Sequence, residues 1–576
     1  MRIRLTLATL SVLALLATAC GDDDGQPTDE TPASDTAAVS GDSGQQDDGA
    51  GTDGAEPGTD ETGTDAAQGE GAEPDEAAAD DAAAAGTDVS AGRFVYASAF
   101  PFVDLDPSSA FSAEHIVLQN VYETLTRFNP PGSPELLSPG LAVEWESNDD
   151  ATAWTFKLRD GVTFHDGSPF NAEAVRTALQ RTLDLGLGAA YIFLPIASMD
   201  IVDDLTISFS LAWPAPLDLV MSSAFAAFIM SPDSAAQDSQ WFNDGNGAGT
   251  GPYTIESVSP NENVILARND AYWGGWSDGQ FDEVELRIIE DPVLAEQMIR
   301  SGDADFTFNL PFDAYPSLEN DPNLSVVRGV SMTNLFGMLN NVRLPADVRE
   351  ALVLSFPYDD IVENLYGGEA ARAVGPVPQS VWGALTGEGL PQTDLDRAAE
   401  ILSGAGVGDL SLTYSYDVGE VEQEQIGEVW KANLASIGVD LVLEPLTWDA
   451  RWEIAQGDPN NAQDVYTMFW YPTYVTPTDF LYSLYRSEEV PFFNLGYYSN
   501  PEFDALLDGA DAVSGTDTDA AVDMFREAQQ ILVDENVAVF MLDVPSVSVI
   551  RADITGYTPN PAYEKVVWFY DLRRAG

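Results

Sequence analysis

An α/β fold of two or three domains is what this sequence predicts, on three observations. After residue 91, short runs that alternate apolar and polar residues take turns with runs whose apolar positions recur at helical spacing. Strand–helix–strand order of this kind points to α/β lobes with mainly parallel sheets. Twelve tryptophans, 27 phenylalanines and 20 tyrosines imply large cores, and 576 residues leave room for two or three domains at roughly 100–200 residues each.

The N-terminus reads as an export signal. Arg2 and Arg4 precede an apolar run from Leu5 to Ala19 that ends at Cys20, the order of a charged n-region, an apolar h-region and small residues before a cut. The run is short for a bilayer span, which needs roughly 20 apolar residues. Leu16-Ala17-Thr18-Ala19-Cys20 resembles a bacterial lipobox, with Ala17 where leucine is usual, so Cys20 is expected to carry lipid and to become the mature N-terminus. An ordinary signal peptide is the alternative. The lone cysteine of the chain favours lipidation, since an exported thiol would otherwise have no disulfide partner.

Residues 21–91 hold 21 acidic residues, no aromatic residue and no lysine or arginine. Such a segment cannot bury enough apolar surface to offset its ordering entropy. A disordered acidic spacer is expected, extended by self-repulsion. The remaining residues carry 74 acidic against 22 basic groups, a formal charge of −52. That excludes a nucleic-acid partner, whose phosphates require basic patches, and direct adhesion to anionic lipid.

The elements follow in order. Residues 154–159 alternate as a half-buried strand, and residues 171–181 have helical spacing at Ala174, Val175, Ala178 and Leu179 with Asn171 as N-cap. Asp166-Gly167 is a turn signal. Gly249-Thr250-Gly251-Pro252 gives a bend with freedom at the glycines and φ fixed at the proline. Residues 284–289 read as a strand and 292–301 as the helix after it. Asp347 is placed to cap a helix beginning at Val348. Residues 410–416, 422–437 and 439–443 read as strand, helix and strand.

Five blocks carry a resemblance. Trp145, the strand at 154–159 and Asp160-Gly161-Val162-Thr163-Phe164-His165-Asp166-Gly167-Ser168-Pro169-Phe170-Asn171-Ala172-Glu173-Ala174-Val175 resemble the signature region of the family 5 extracellular solute-binding proteins. These include dipeptide-, oligopeptide- and nickel-binding proteins of ABC importers. Leu105-Asp106-Pro107 with Asn120-Val121-Tyr122-Glu123-Thr124-Leu125, Gly249–Tyr253 with Leu266–Trp273, Asp347–Ala351 and Asn494–Glu502 resemble its other landmarks, in the family's order.

The resemblance implies a two-lobed periplasmic-binding-protein fold, type II, in the large family 5 variant, with an extra α/β domain inserted in the N-terminal lobe. Lobe I would take residues 92–125, 245–327 and 548–576, the insertion 126–244, and lobe II 328–547. Ligand would be enclosed between the lobes and delivered to an ABC importer permease. Lipid on Cys20 would hold the chain at the outer face of the cell membrane. A monomer is expected.

In peptide-binding members an aspartate shortly after a tryptophan of the second lobe pairs with the peptide α-amine. Alignment on Trp470, Pro477 and Phe480 puts Thr473 there, and a hydroxyl cannot balance a buried ammonium. Asp479 or another acid could serve instead, although its place beside a helix start reads first as structural. Trp470, Tyr471 and Tyr474 can stack on sugar faces or apolar side chains. Position in the family adds Phe111, Ser112 and Glu114 before the first helix, Tyr191 after the insertion's first helix, and Trp382 after Gly375-Pro376-Val377-Pro378. Peptide is the leading ligand class; an oligosaccharide or other small organic solute, or a receptor role for a signalling partner, stays open.

The sequence shows no nucleophile elbow, phosphate-binding glycine loop or zinc-type cluster. His165 belongs to a turn, and His115 alone makes a poor transition-metal site. No enzyme activity, metal or cofactor is expected.

Overall fold

The computed structural model describes residues 91–575 apart from 309, 388, 407–409, 419 and 515–516. The expected signal, the lipidated Cys20 and nearly all of the acidic spacer lie outside the described residues.

Two large mixed sheets dominate. The first has seven strands in the order Leu324–Gly329, Ser546–Arg551, Phe306–Thr307, Arg93–Ser98, Glu283–Ile288, Asn263–Arg268 and Tyr253–Ser259. The second has six, in the order Ala371–Arg372, Ala538–Asp543, Asn334–Leu339, Val465–Trp470, Leu410–Asp417 and Val439–Leu446. A third, four-stranded sheet joins Ala142–Ser147, Ala153–Leu158, Thr206–Leu211 and Ile196–Asp203 and is wholly antiparallel.

The expectation of mainly parallel sheets is corrected here. Arg93–Ser98 runs parallel to Glu283–Ile288 and to Phe306–Thr307, and Leu410–Asp417 runs parallel to Val439–Leu446 and to Val465–Trp470. The other neighbours in both sheets are antiparallel. A parallel pair needs a crossover connection. The helices Pro292–Ser301 and Val421–Ser436 supply such connections, whereas the other strands return through loops or from distant parts of the chain.

Local chemistry explains the element ends. Helix Ala172–Leu185 starts where the Asn171 side chain accepts from Ala174 N and stops at Gly186 with φ 61°. Helix Pro292–Ser301 has Asp291 as its cap, proline in its first turn and Gly302 at φ 86°. Trp154, Phe156 and Leu158 bury one face of their strand while Lys157 stays exposed. Gly167 closes its turn at φ 82°, donating N–H to Phe164 O at 2.9 Å. Asp347 is not a cap: Pro345 holds that position, and Asp347 sits in the first turn of helix Ala346–Ser355, where the helix dipole still favours an anion.

The chain passes between the two large sheets twice, from Gly329 to Asn334 and from Asp543 to Ser546. The two passages are tied together, because Val544 N donates to Thr333 O at 2.9 Å. A continuous apolar core runs from the first sheet through Phe225 and Phe228 to Trp470, Phe480 and Phe493 beside the second. No helix among the described residues is long and apolar enough to cross a membrane.

Candidate ligand cleft

The cleft is built from loops at the ends of regular elements. On one wall, Phe111, Ser112 and Glu114 lead into helix His115–Val121, Tyr191 stands on the 3-10 turn Ala190–Phe193, and Ser223 and Phe225 follow helix Leu217–Val220. On the other, Trp470 ends its strand, and the loop from Tyr471 runs to Thr476, whose side chain caps helix Pro477–Tyr485.

The two walls meet at Thr473. Its hydroxyl shares a hydrogen bond of 2.7 Å with the Tyr191 hydroxyl, and its carbonyl accepts from Ser223 Oγ at 2.7 Å. Asp479 lies behind this corner at 2 % exposure. Its Oδ2 accepts from Trp470 Nε1 at 3.1 Å and from Thr473 N at 3.0 Å, which fixes the loop against the helix start. Burial pushes the Asp479 carboxyl up to about 7, against hydrogen bonds from Thr473, Trp470 and Tyr191 that favour the charged form.

Aromatic rings surround the corner. Phe111 meets Phe225 at 5.3 Å and Tyr191 at 6.3 Å edge-on, and its ring lies tilted 6.4 Å from that of Phe493. Tyr471 stacks on Phe225 at 5.8 Å and lies 6.5 Å from His115. Phe493 packs on Trp470 at 5.0 Å and on Trp452 at 5.1 Å. Tyr474 is half-buried, and its hydroxyl is pushed upward by burial and by the charges of Asp479 and Asp511.

The structure therefore brings Phe111, Tyr191, Trp470, Tyr471 and Thr473 together. Glu114 is buried on the same wall as Phe111; its Oε1 accepts from Val103 N at 3.0 Å and Asp104 N at 3.2 Å, and burial raises its pKa. Ser112 is exposed. Trp382 stands one layer back, donating Nε1–H to Val475 O at 3.2 Å and packing edge-on to Phe525 at 5.7 Å. His115 is committed at both ring nitrogens, to Ser112 O at 2.6 Å and Glu564 O at 2.7 Å. Phe225, Ser223, Trp452 and Phe493 went unnamed in the sequence; the pair Phe492-Phe493 just before Asn494 was the available signal.

A second cleft corner is charged. Lys565 Nζ lies 3.4 Å from Glu564 Oε1 and 4.7 Å from the Phe100 ring, while Thr333 donates to Glu564 Oε2 at 2.8 Å. Burial raises the carboxyls of Glu420 and Glu422, and Lys565 opposes both shifts. Elsewhere, a depression of about 640 Å³ lined by Arg176, Gln180, Arg181 and Asp238 shares no residue with the cleft. No group of acids, histidines or cysteines among the described residues could hold a metal ion.

Two large sheets are thus joined by a pair of connecting segments, with the candidate residues on loops near one corner. A profile described as bacterial extracellular solute-binding proteins, family 5 Middle, matches residues 137–492. The chain belongs to this family. The family 5 chain is 28 % identical over 435 residues to the probable D,D-dipeptide-binding periplasmic protein DdpA of Escherichia coli (strain K12), covering 74 % of this chain and 83 % of that one. It is 26 % identical over 480 residues to the glutathione-binding protein GsiB of Pectobacterium atrosepticum, covering 81 % and 91 %. Among solved structures it is similar to the ABC transporter-associated periplasmic binding protein DppA of Helicobacter pylori in complex with the peptide STSA. That match has a TM-score of 0.74 and 24 % identity, over 84 % of this chain and 98 % of that one. The family 5 fold is the two-lobed type II fold, and the protein is an extracytoplasmic solute-binding protein, not an enzyme.

Proposed function

We propose that the protein captures a peptide between its two lobes and delivers it to the permease of an ABC importer while lipid on Cys20 holds it at the outer face of the membrane. The observation that carries the reading is the contact of Tyr191 with Thr473 at 2.7 Å across the cleft, inside a shell of aromatic rings. A ligand that touches Tyr191, Phe111 and Ser112 on one wall and Tyr471, Thr473, Tyr474 and Trp470 on the other stabilises closure by its contacts to both. Glu114 and Trp382 hold those walls in place. The lobe boundaries proposed are those given above. Relatives named for D,D-dipeptides, glutathione and a bound tetrapeptide support the ligand class.

Titration calorimetry with D-alanyl-D-alanine, glutathione and Ser-Thr-Ser-Ala tests the class, with closure read by small-angle scattering. Binding with compaction supports the reading; heat only with sugars or amine-free solutes rejects it. The absence of a carboxylate at Thr473 favours that second reading, an oligosaccharide or other small organic solute. Replacing Cys20 by serine should release the protein from membranes into the medium.

A further inference from the structure

We propose that Asp543 and Asn334 share a proton between their side-chain oxygens and so form a pH-sensitive lock on the two passages that connect the large sheets. The inference goes beyond ligand capture. It rests on the two-lobed fold and on the lobe boundaries proposed above, which fall at these passages, since closure has to bend the connections between lobes.

The two residues stand where the chain enters and leaves the second sheet. Asn334 opens strand Asn334–Leu339 after the first passage, and Asp543 ends strand Ala538–Asp543 before the second. They are directly opposed in an antiparallel pair. Residues so opposed turn their side chains to one face, with Cα atoms about 4.5–5.5 Å apart. Both side chains then reach the same loop. Asn334 Nδ2 donates to Pro376 O at 2.6 Å, and Asp543 Oδ2 accepts from Gln379 N and from Gln379 Nε2, each at 3.1 Å. That loop also grips the first passage, where Ser380 Oγ donates to Ser331 O.

One oxygen of each residue is left over. Asn334 Oδ1 and Asp543 Oδ1 are shielded from solvent and have no hydrogen-bond partner. A buried acceptor left unpaired costs about 1–3 kcal/mol, and more when it is charged. Two acceptors on neighbouring side chains cannot satisfy each other. A proton on Asp543 Oδ1 settles both, because it neutralises the carboxylate and gives Asn334 Oδ1 a donor. Asn334 cannot supply that donor by turning its amide, since only the Nδ2 end can serve Pro376 O.

The charged groups around the pair are committed elsewhere. From strand Ala371–Arg372, Arg372 turns to Asp359 and to Pro391 O. Beside the first passage, Glu564 accepts from Thr333 Oγ1 at 2.8 Å and pairs with Lys565 at 3.4 Å. On the far side of Asn334, the opposed Trp470 gives its Nε1–H to Asp479. Tyr485 packs on Phe540 of the Asp543 strand and is held neutral by burial. No ion pair found among the described residues involves Asp543, and burial raises its carboxyl to about 6 against the hydrogen bonds from Gln379.

With the proton in place the pair holds the passages in register. Without it the tie between them, Val544 N–H to Thr333 O at 2.9 Å, opens more often. Hydrogen exchange on the full chain, corrected for the intrinsic rate at each pH, reads that tie at the Val544 amide and needs no ligand. Protection should be about tenfold higher at pH 5.0 than at pH 7.5, the ratio for a carboxyl near 6 when the tie is closed and 3.8 when it is open. The Asn340 amide, which donates to Asp464 O at 2.9 Å in the same sheet, should not follow. Asp543→Asn copies the protonated acid, with an N–H for Asn334 Oδ1 and an oxygen for Gln379, so it should hold Val544 at the wild type's low-pH protection at both pH values. Asp511→Asn should keep the wild-type dependence. Should Asp543→Asn fail to fold, Asn334→Ala removes the acceptor and should abolish the tenfold difference. Protection at Val544 that ignores pH in the wild type, that keeps its pH dependence in Asp543→Asn, or that is matched at Asn340 overturns the proposal.

Discussion

Phe493 shows what a single residue contributes to this cleft. Its ring packs on Trp470, Trp452 and Phe492 and reaches Phe111 and Tyr191 on the opposite wall. Truncating a buried phenylalanine costs about 3–5 kcal/mol. Phe493→Ala should therefore lower stability by about that much in a urea melt and weaken ligand binding, because the wall behind Trp470 collapses. Ser112→Ala, at an exposed position, should stay within about 0.5 kcal/mol. Phe493 was not legible in the sequence, since nothing in a loop before Asn494 says which way a ring turns. Thr473 was named from the family resemblance, by alignment on Trp470, Pro477 and Phe480. What spacing could not give is that the Asp479 carboxylate folds back onto the Thr473 amide, a contact that exists only once the loop closes over the helix start.

At the scale of elements, periodicity served well where a stretch carried its own signals. The strand at 154–159 and the helix from Asn171 were read within a few residues, because alternation, helical spacing and the N-cap lie in one stretch. Sheet direction was misread, because it depends on which distant strand arrives next, as when Ser546–Arg551 slots between Leu324–Gly329 and Phe306–Thr307. The Gly249–Pro252 bend was found for a reason the structure revises. Neither Gly249 nor Gly251 has positive φ. A Cβ on Gly249 would lie 2.1 Å from Val121 O, and one on Gly251 would lie 2.7 Å from Asn120 O and Val121 O. These glycines let the bend approach the end of helix His115–Val121, where Gly251 N donates to Val121 O at 3.0 Å. Backbone oxygen cannot swing aside, so Gly249→Ala should cost roughly 1–3 kcal/mol, the range for overpacking, and should shift the helix that carries His115. A variant that melts with the wild type in differential scanning calorimetry would show that the bend has slack.

For the molecule as a whole, buried and surface charge act together. The passages at Thr333 and Val544 connect the two large sheets, and the candidate cleft holds titratable groups that burial shifts. Asp479 stands at about 7, and Asp511 and Asp543 at about 6, against 3.8 for an exposed aspartate. Between those limits the folded chain binds more protons than the unfolded one, so stability should rise as pH falls from 8 toward 5. For Asp479 alone, a value near 7 gives roughly 1 kcal/mol between pH 8 and pH 6. His115 and His165, both lowered by burial, act in the opposite sense as pH falls through the ordinary histidine range. The acidic surface pushes in the same direction as the aspartates, since removing negative charge relieves self-repulsion. Salt separates the two causes, because screening reaches exposed charges over about 10 Å at 0.1 M and leaves a buried carboxyl nearly untouched. The melting temperature should therefore rise with added sodium chloride at both pH values, while part of the difference between pH 8 and pH 6 survives in high salt. That surviving part should shrink in Asp479→Asn. If the variant keeps the full difference in high salt, the pH dependence belongs to other groups and Asp479 is not the carboxyl that titrates near neutrality.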